Sequence, residues 1–202
     1  MEIQQVAKPA LRARILDHVE NQLLAQGYRG MRVDDLARDV GISKRTLYEQ
    51  FRTKEDMARE ALLRRFERLR EYVEELRVAN VDEAQRLRGI VEALSRIHGD
   101  ARSTLTQDIE ATPTLSQLLV ASRTHGYESI EAVLSQGIAR GRFRAELDVR
   151  MARCTLLAAV EGLMSSPHLA AAGAGVDEAI AAVFNVLIEG LVDRRAELSR
   201  TG

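Results

Sequence analysis

The sequence has one cysteine, three prolines and few aromatic residues. Each of these low counts excludes or disfavours a class of protein fold. A single cysteine, Cys154, excludes an intramolecular disulfide framework. Proline is too rare to interrupt helices often, aromatic residues make up only 4% of the chain, and no run of residues alternates as a strand would. Together with abundant Ala, Leu, Arg and Glu, these features predict an all-α fold with about nine helices.

Long apolar runs are also missing. The first residues, MEIQQVAKPALRAR, contain no apolar signal-peptide core. The most apolar stretch, 151–164, contains Arg153 and Glu161 and is shorter than the about twenty residues that a bilayer span requires. We therefore expect a cytoplasmic protein without a membrane segment. The net charge of -1 argues against indiscriminate binding of polyanions, which requires many phosphates to be neutralised at once.

Residues 33–54 read as two short helices joined by a tight turn. The first segment carries one apolar stripe opposite acidic side chains. Gly41 stands where a helix end favours a left-handed residue, and Ser43 is a suitable N-cap for the next helix. In that second helix Leu47 and Phe51 lie four residues apart on the buried side, which leaves polar and basic side chains facing outward. This pattern is typical of a helix-turn-helix.

Positive charge is concentrated on this segment, although the whole chain is nearly neutral. Between residues 41 and 54, Glu49 is the single acidic residue, and it is outnumbered by basic residues: Lys44, Arg45, Arg52 and Lys54. A small positive face of this kind suits sequence-selective DNA binding better than non-specific binding.

The motif and its flanks resemble a known family. The matching letters are GY at residues 27–28, VDDLA at 33–37, GISKRTLY at 41–48, F at 51 and KE at 54–55. In this register the segment resembles the N-terminal domain of TetR (tetracycline-repressor, AcrR-like) transcriptional regulators. One departure is that the family often has Thr or Ser before the first motif helix, where this chain has Met31 and Arg32. A hydroxyl cap is therefore missing, and Arg32 is expected either to contact a phosphate or to be solvated.

The resemblance implies two domains: a three-helix helix-turn-helix DNA-binding domain in residues 1–54 and a helical effector-binding and dimerisation domain in residues 55–202. The side chains expected at the DNA are Arg32, Ser43, Lys44, Arg45, Thr46, Tyr48, Gln50 and Lys54. Those whose family counterparts suit phosphate contacts are Ser43, Tyr48 and Lys54.

The start of the second motif helix is the expected site of base reading. Lys44, Arg45 and Thr46 point toward base edges if this helix enters a major groove N-terminus first. Arg45 could then make paired hydrogen bonds to guanine. Glu49 is ambiguous, because it could accept a hydrogen bond from cytosine or pair with Arg45 or Arg52.

Two strongly apolar helices are predicted near the end of the chain, from 149 to about 165 and from 176 to about 195. These helices carry more apolar residues than one buried side of each helix can hold. The remaining apolar residues would be buried against a partner surface. The resemblance implies that they form a four-helix interface with a second copy in a homodimer. The expected interface residues are Leu156, Val160, Leu163, Phe184, Leu187 and Leu191.

The resemblance also implies that the helical domain binds a small molecule. Candidate pocket walls, chosen from helical faces alone, are Leu62, Phe66, Leu94, Leu105, Ile109, Leu118 and His125. This lining suggests an apolar or amphipathic effector, although helical cores are apolar whether or not they hold a ligand. For His125, lining a pocket and ordinary packing both remain open.

Nothing in the sequence indicates catalysis. The four histidines and Cys154 lack close ligand spacings such as HxxxH or CxxC, and no GxSxG or phosphate-cradling loop occurs. Cys154 is expected to be a small buried residue rather than a redox sensor, and Glu161 a buried carboxylate that needs a partner. We therefore predict no enzymatic activity, no cofactor and no metal.

The sequence thus predicts a homodimeric repressor that binds a palindrome-like operator on double-stranded DNA and is released by a small molecule. The alternative is a ligand-independent dimer that acts as an architectural or partner-recruiting protein. An apolar cavity between the middle helices would favour the sensor, whereas a completely filled core would favour the alternative.

Overall fold

The computed structural model describes residues 2–98, 104–164, 171 and 176–191. Within these residues the helices are joined by short turns and loops and no extended strand forms, so the all-α prediction is confirmed. The helices of the described part are α1 (Glu2–Gly30), α2 (Val33–Val40), α3 (Lys44–Gln50), α4 (Lys54–Val78), α5 (Glu83–His98), α6 (Thr104–Glu110), α7 (Pro113–Ala139), α8 (Val149–Met164) and α9 (Val176–Leu191).

The turn between α2 and α3 has the predicted geometry. Gly41 adopts the left-handed conformation, with φ 75° and ψ 36°, which ends α2. The Ser43 hydroxyl oxygen accepts a hydrogen bond from the Thr46 backbone N–H at 3.0 Å and so caps α3. Arg32 precedes α2 without a capping hydrogen bond, as expected from the missing hydroxyl.

Other helix starts also follow local side-chain chemistry. The remaining side-chain caps are Thr53, which accepts from the Asp56 N–H at 3.0 Å, Asp82 from Ala84 at 2.8 Å, and Asp148 from Met151 at 2.9 Å. Pro113 is the first residue of α7. Proline fits this position because the first helical N–H has no partner within the helix.

The chain forms two compact units. The first comprises 1–68 and 102–120, and the second comprises 69–101 and 121–202. The helix α4 therefore contributes to both, and α6 belongs to the same unit as the helix-turn-helix. Within the described residues no helix is long and apolar enough to cross a membrane.

The first unit has its own apolar core. The buried side chains that form it include Ile15, Val19, Leu23, Leu36, Leu47, Phe51, Met57, Leu62, Ile109 and Leu115. Ion pairs join α1 to α4 beside this core: Arg65 lies 3.0 Å and Arg68 2.7 Å from the Glu20 carboxylate, and Arg64 pairs with Asp17. The helix-turn-helix is thus held on a packed support.

The second unit contains a larger core between its helices. Its buried members include Val73, Leu87, Ile90, Val91, Ile130, Val133, Leu134, Phe143, Leu156, Val160, Ile180 and Phe184. At one end the buried guanidinium of Arg86 donates to the carbonyl oxygens of Ala79 at 2.8 Å and Val81 at 3.2 Å. This arginine satisfies carbonyls that follow the end of α4.

Candidate nucleic-acid interface

Helix α3 exposes its polar side and buries its apolar side. Leu47 and Phe51 are 0% and 3% exposed, so their predicted inward position is confirmed. Lys44, Arg45 and Tyr48 are exposed, and the Arg45 side chain is 89% accessible. Ser43 is also exposed, whereas Thr46 and Gln50 are half-buried. The structure therefore brings most of the predicted DNA-contacting residues onto one helix and its start.

The two basic residues that begin α3 are paired with carboxylates. Lys44 forms an ion pair with Asp34 of α2, and Arg45 Nε lies 3.1 Å from Glu49 Oε1 one turn later. Glu49 thus pairs with Arg45, which was one of its two predicted roles. Exposed pairs of this kind contribute only about 0.2–1 kcal/mol, so a phosphate or base can displace them at small cost.

Lys54 lies at the first position of α4, on the half-buried ring of Tyr28. Its Nζ is 4.8 Å from the centre of that ring and donates to the Arg29 carbonyl oxygen at 3.3 Å. Burial lowers the pKa of Lys54, and the negative charge of Asp108 opposes that shift. Burial, with a smaller contribution from Glu55, raises the pKa of Tyr28. Tyr28 therefore supports Lys54 in addition to packing.

Arg12 of α1 holds the end of α3, and sequence reasoning missed it. Its guanidinium lies 4.1 Å from the centre of the Phe51 ring and donates to the Gln50 carbonyl oxygen. It also pairs with Glu60, with Nε 3.2 Å from Oε1. A cation at a helix C-terminus satisfies carbonyls without a partner in the helix. These partners lie 38 to 48 residues away, so no local pattern reveals the contact.

Arg32 is exposed beside the start of α2. Its backbone is extended, with φ -114° and ψ 127°, and its side chain makes no capping hydrogen bond. Both predicted roles, a phosphate contact and solvation, are compatible with this position.

The seven predicted pocket residues are divided between the two units. Those in the first unit are Leu62, Phe66, Leu105, Ile109 and Leu118, and those in the second are Leu94 and His125. His125 is one-third exposed, and its Nε2 lies 3.7 Å from Glu74 Oε1 without a hydrogen bond. Next to it Gly126 lies against Leu94: a Cβ on this glycine would be 2.4 Å from Leu94 Cδ2. Packing between α5 and α7 is therefore close at this point.

The predicted dimer residues face in two directions. Leu156, Val160 and Phe184 are 1%, 2% and 4% exposed and belong to the core of their own unit, so they offer almost no surface to a partner. Their predicted place at a dimer interface stays a prediction. Leu163 and Leu187 are half-buried at the edge of that core, and the side chain of Leu191 lies outside the described residues.

The outward faces of α8 and α9 form an apolar groove instead. One part, of about 480 Å³, is lined by Ala158, Ala159, Gly162, Leu163, Ala182, Val183, Val186 and Leu187. An adjoining part, of about 370 Å³, shares the last two residues and adds Arg144, Glu146, Leu147, Asp148, Met151, Ala152, Thr155 and Leu156. Val186 and Met151 are 74% and 59% exposed, although both are apolar. We call this surface the α8–α9 groove.

Two further predictions for α8 are wrong. Cys154 and Glu161 were expected to be buried, but both are exposed. They lie at helical spacing from Ala158, on the same outward side of α8. Among the described residues, no three His, Cys, Asp or Glu side chains come together as metal ligands.

Comparison with known proteins agrees with this geometry. Residues 15–61, which include the helix-turn-helix, match the family model of bacterial regulatory proteins of the tetR family. This segment therefore has the sequence of a TetR-family DNA-binding motif. The chain resembles the fatty acid metabolism regulator protein of Bacillus subtilis, with 24% identity over 156 residues, which is 73% of this chain and 78% of that protein.

Solved structures of regulators share the fold over almost the whole chain. A transcriptional regulator from Saccharomonospora viridis in complex with choline is 25% identical, with a TM-score of 0.76, and covers 91% of this chain and 98% of its own. FadR from Bacillus subtilis in complex with stearoyl-CoA is 19% identical, with a TM-score of 0.66, over 89% and 98%. The chain thus resembles TetR-family transcriptional regulators both in its helix-turn-helix sequence and in its fold.

Proposed function

We propose that this protein is a TetR-family regulator that acts as a repressor: a homodimer binds a palindrome-like operator, and a small molecule releases it. The observation that carries the proposal is the surface of α3, where Lys44, Arg45 and Tyr48 project from a helix held by Ser43, Leu47 and Phe51. A helix of this shape enters a major groove with its N-terminal residues against base edges.

The contacts of Arg45 suit it to base reading. Glu49 occupies the Nε of Arg45, which leaves the two terminal nitrogens of the guanidinium for a guanine. Ser43, Tyr48 and Lys54 then serve as phosphate contacts that set the register of the helix on the duplex. Arg32, Lys44, Thr46 and Gln50 complete the proposed surface.

The α8–α9 groove is the proposed dimer interface. Its apolar lining, with small residues such as Ala158 and Gly162, permits close approach of helices from a second copy. In this proposal the exposed residues Met151, Ala158 and Val186 contribute most of the surface, and Leu163 and Leu187 line it as well. A two-fold dimer would present two copies of α3 to half-sites about one helical turn, roughly 34–36 Å, apart.

The effector is proposed to be an apolar or amphipathic small molecule. The relative from Bacillus subtilis is named for fatty acid metabolism, and the S. viridis structure contains choline. The first name is compatible with a ligand whose larger part is apolar, whereas choline is a small cation and points to a polar ligand. Release requires only that the effector prefer the conformation that does not bind DNA, and a coupling of about 1–3 kcal/mol weakens DNA binding roughly 5- to 150-fold.

We predict that Arg45→Ala relaxes base preference. Loss of a paired contact to guanine should remove about 1–3 kcal/mol of discrimination at one position of the operator, while affinity for other duplexes changes little. Fluorescence anisotropy with operator duplexes substituted one base pair at a time measures this. Arg52→Ala is the matched control, because Arg52 is an exposed basic residue just beyond α3. Equal loss of discrimination in both variants would contradict the proposed role.

Lys54→Ala should weaken DNA binding without changing base preference, in contrast to Arg45→Ala. Removing a phosphate contact weakens all duplexes alike and lowers the slope of log affinity against log salt by about 0.9. Lys54→Arg keeps the charge and should retain the slope of the wild type. A weakening confined to the operator would show instead that Lys54 contributes to base reading.

A ligand-independent architectural or partner-recruiting dimer is the alternative. Close packing between Gly126 and Leu94 is the observation that favours it, because a filled core leaves less room for an effector. The two readings differ in a thermal-shift screen with fatty acids, acyl-CoA and choline. Saturable stabilisation by a compound that also lowers operator affinity supports the sensor and excludes the alternative.

A further inference from the structure

A buried carboxylate on α6 contacts the end of α1. Asp108 is 5% exposed, and its Oδ2 accepts a hydrogen bond from the Arg29 backbone N–H at 2.7 Å. The Arg29 side chain adds a longer ion pair, with Nε 3.4 Å from Asp108 Oδ1. All of these groups belong to the first unit. A buried carboxylate needs such partners, so the contact fixes α6 against the backbone that leads into the helix-turn-helix.

The backbone of α1 is shaped for this contact. The helix is interrupted at Gly27, where φ is 74° and ψ is 176°. A Cβ on Gly27 would lie 2.6 Å from Asp108 Oδ2 and 2.8 Å from Thr104 Cγ2. Glycine is therefore required twice, once by its positive φ and once by the close approach of α6.

The contact continues to Lys54. Asp108 binds the N–H of Arg29, and the carbonyl oxygen of the same residue accepts from Lys54 Nζ at 3.3 Å. Asp108 also acts on Lys54 through its charge, because it opposes the effect of burial on the pKa of that lysine. Arg29 thus connects two groups: the carboxylate of Asp108, which is 79 positions later in the sequence, and Lys54 at the start of α4.

We propose that Asp108 is a positioning residue for DNA binding, which holds the 27–31 segment so that Lys54 meets a phosphate. The inference rests on the proposed function, since it assigns Asp108 to the phosphate contact of Lys54. Asp108 itself does not touch DNA. By its charge alone a carboxylate repels DNA, so its removal would strengthen binding; positioning predicts the opposite sign.

The test uses the full-length chain and a duplex that the wild-type protein selects from a random pool. Asp108→Ala should weaken binding to this duplex at least fivefold and lower the salt slope as much as Lys54→Ala does. The double variant should be no weaker than the stronger single variant, because both changes remove the same phosphate contact. Asp108→Asn keeps an acceptor for the Arg29 N–H and should fall between Asp108→Ala and the wild type.

Controls separate this role from general stability and from the proposed function. Glu110→Gln removes the same charge from an exposed position on α6 and should leave the salt slope unchanged. Thermal unfolding identifies any loss of folded protein, and affinities are compared per folded chain. Unchanged or tighter binding by Asp108→Ala, or additive effects with Lys54→Ala, would overturn the inference and leave the proposed function intact. If the wild type selects no duplex, the proposed function fails and this inference fails with it.

Discussion

A Val186→Glu chain should be monomeric and should lose at least about 100-fold in operator affinity, since linked half-site binding gains roughly 10²–10⁴. Val186 is 74% exposed at the point where both parts of the α8–α9 groove meet. A second copy seated on this groove would bury the new carboxylate twice against a largely apolar surface, which costs several kcal/mol per ion. Sedimentation equilibrium measures the assembly, and anisotropy measures the operator affinity.

Val78→Glu is the matched control for this prediction. Val78 is also 74% exposed, but it lies at the end of α4 and outside the lining of the groove. It should leave both assembly and DNA binding unchanged. A Val186→Glu chain that remains a dimer would show that the interface lies elsewhere.

Phe143→Ala should lower the free energy of unfolding by about 3–5 kcal/mol, as expected for a large aromatic ring removed from a core. Phe143 is 1% exposed, and its backbone N–H donates to the Gly137 carbonyl oxygen at 3.1 Å. Its ring lies against α7, where a Cβ on Gly137 would be only 2.2 Å from Phe143 Cδ2. Urea unfolding at one fixed protein concentration measures the loss, since the stability of a dimer depends on concentration.

The partner substitution tests the same contact from the other side. Gly137→Ala should cost about 1–3 kcal/mol by overpacking. In the Phe143→Leu background the added methyl group should cost less, because the aliphatic side chain can move away. Additive effects of Gly137→Ala and Phe143→Leu, or a loss below about 1 kcal/mol for Phe143→Ala, would contradict the packing described for this end of α7.

The helix-turn-helix could be predicted from sequence because its determinants are local. Gly41 and Ser43 act through hydrogen bonds that span three to five residues, and Leu47 and Phe51 lie one turn apart. Each of these residues acts on backbone or side chains within a few positions. The motif can therefore be predicted from this segment without knowledge of the rest of the chain. The family resemblance then supplied the role of α3, which geometry alone does not.

The contacts of Arg12 and Asp108 could not be predicted in this way. Their partners are 38 to 79 residues distant, and neither side chain stands out from its neighbours in sequence. Only the fold brings Asp108 to Arg29. The approach of α6 to Gly27 was equally hidden from the sequence.

The outward side of α8 could not be predicted for a different reason. Both sides of this helix are rich in apolar or small residues, so periodicity did not distinguish the core side from the outward side. Leu156 and Val160 pack inward, as does the small residue Ala152, whereas Met151, Ala158 and Gly162 face outward. Neither apolar character nor size separates the two sides, because the side that packs into the core is set by the neighbouring helices of the fold.

Operator binding tests the central claim most directly. The measurement is fluorescence anisotropy of a labelled duplex from immediately upstream of the gene, against a scrambled duplex of equal length, across a salt series. We expect tight binding to the upstream duplex, with two chains per duplex, and much weaker binding to the scrambled duplex; both affinities should fall as salt rises. Equal, weak binding to both duplexes would contradict this expectation for the upstream site. If selection from a random pool also yielded no duplex that binds more tightly than the scrambled one, α3 would not be a sequence-specific helix.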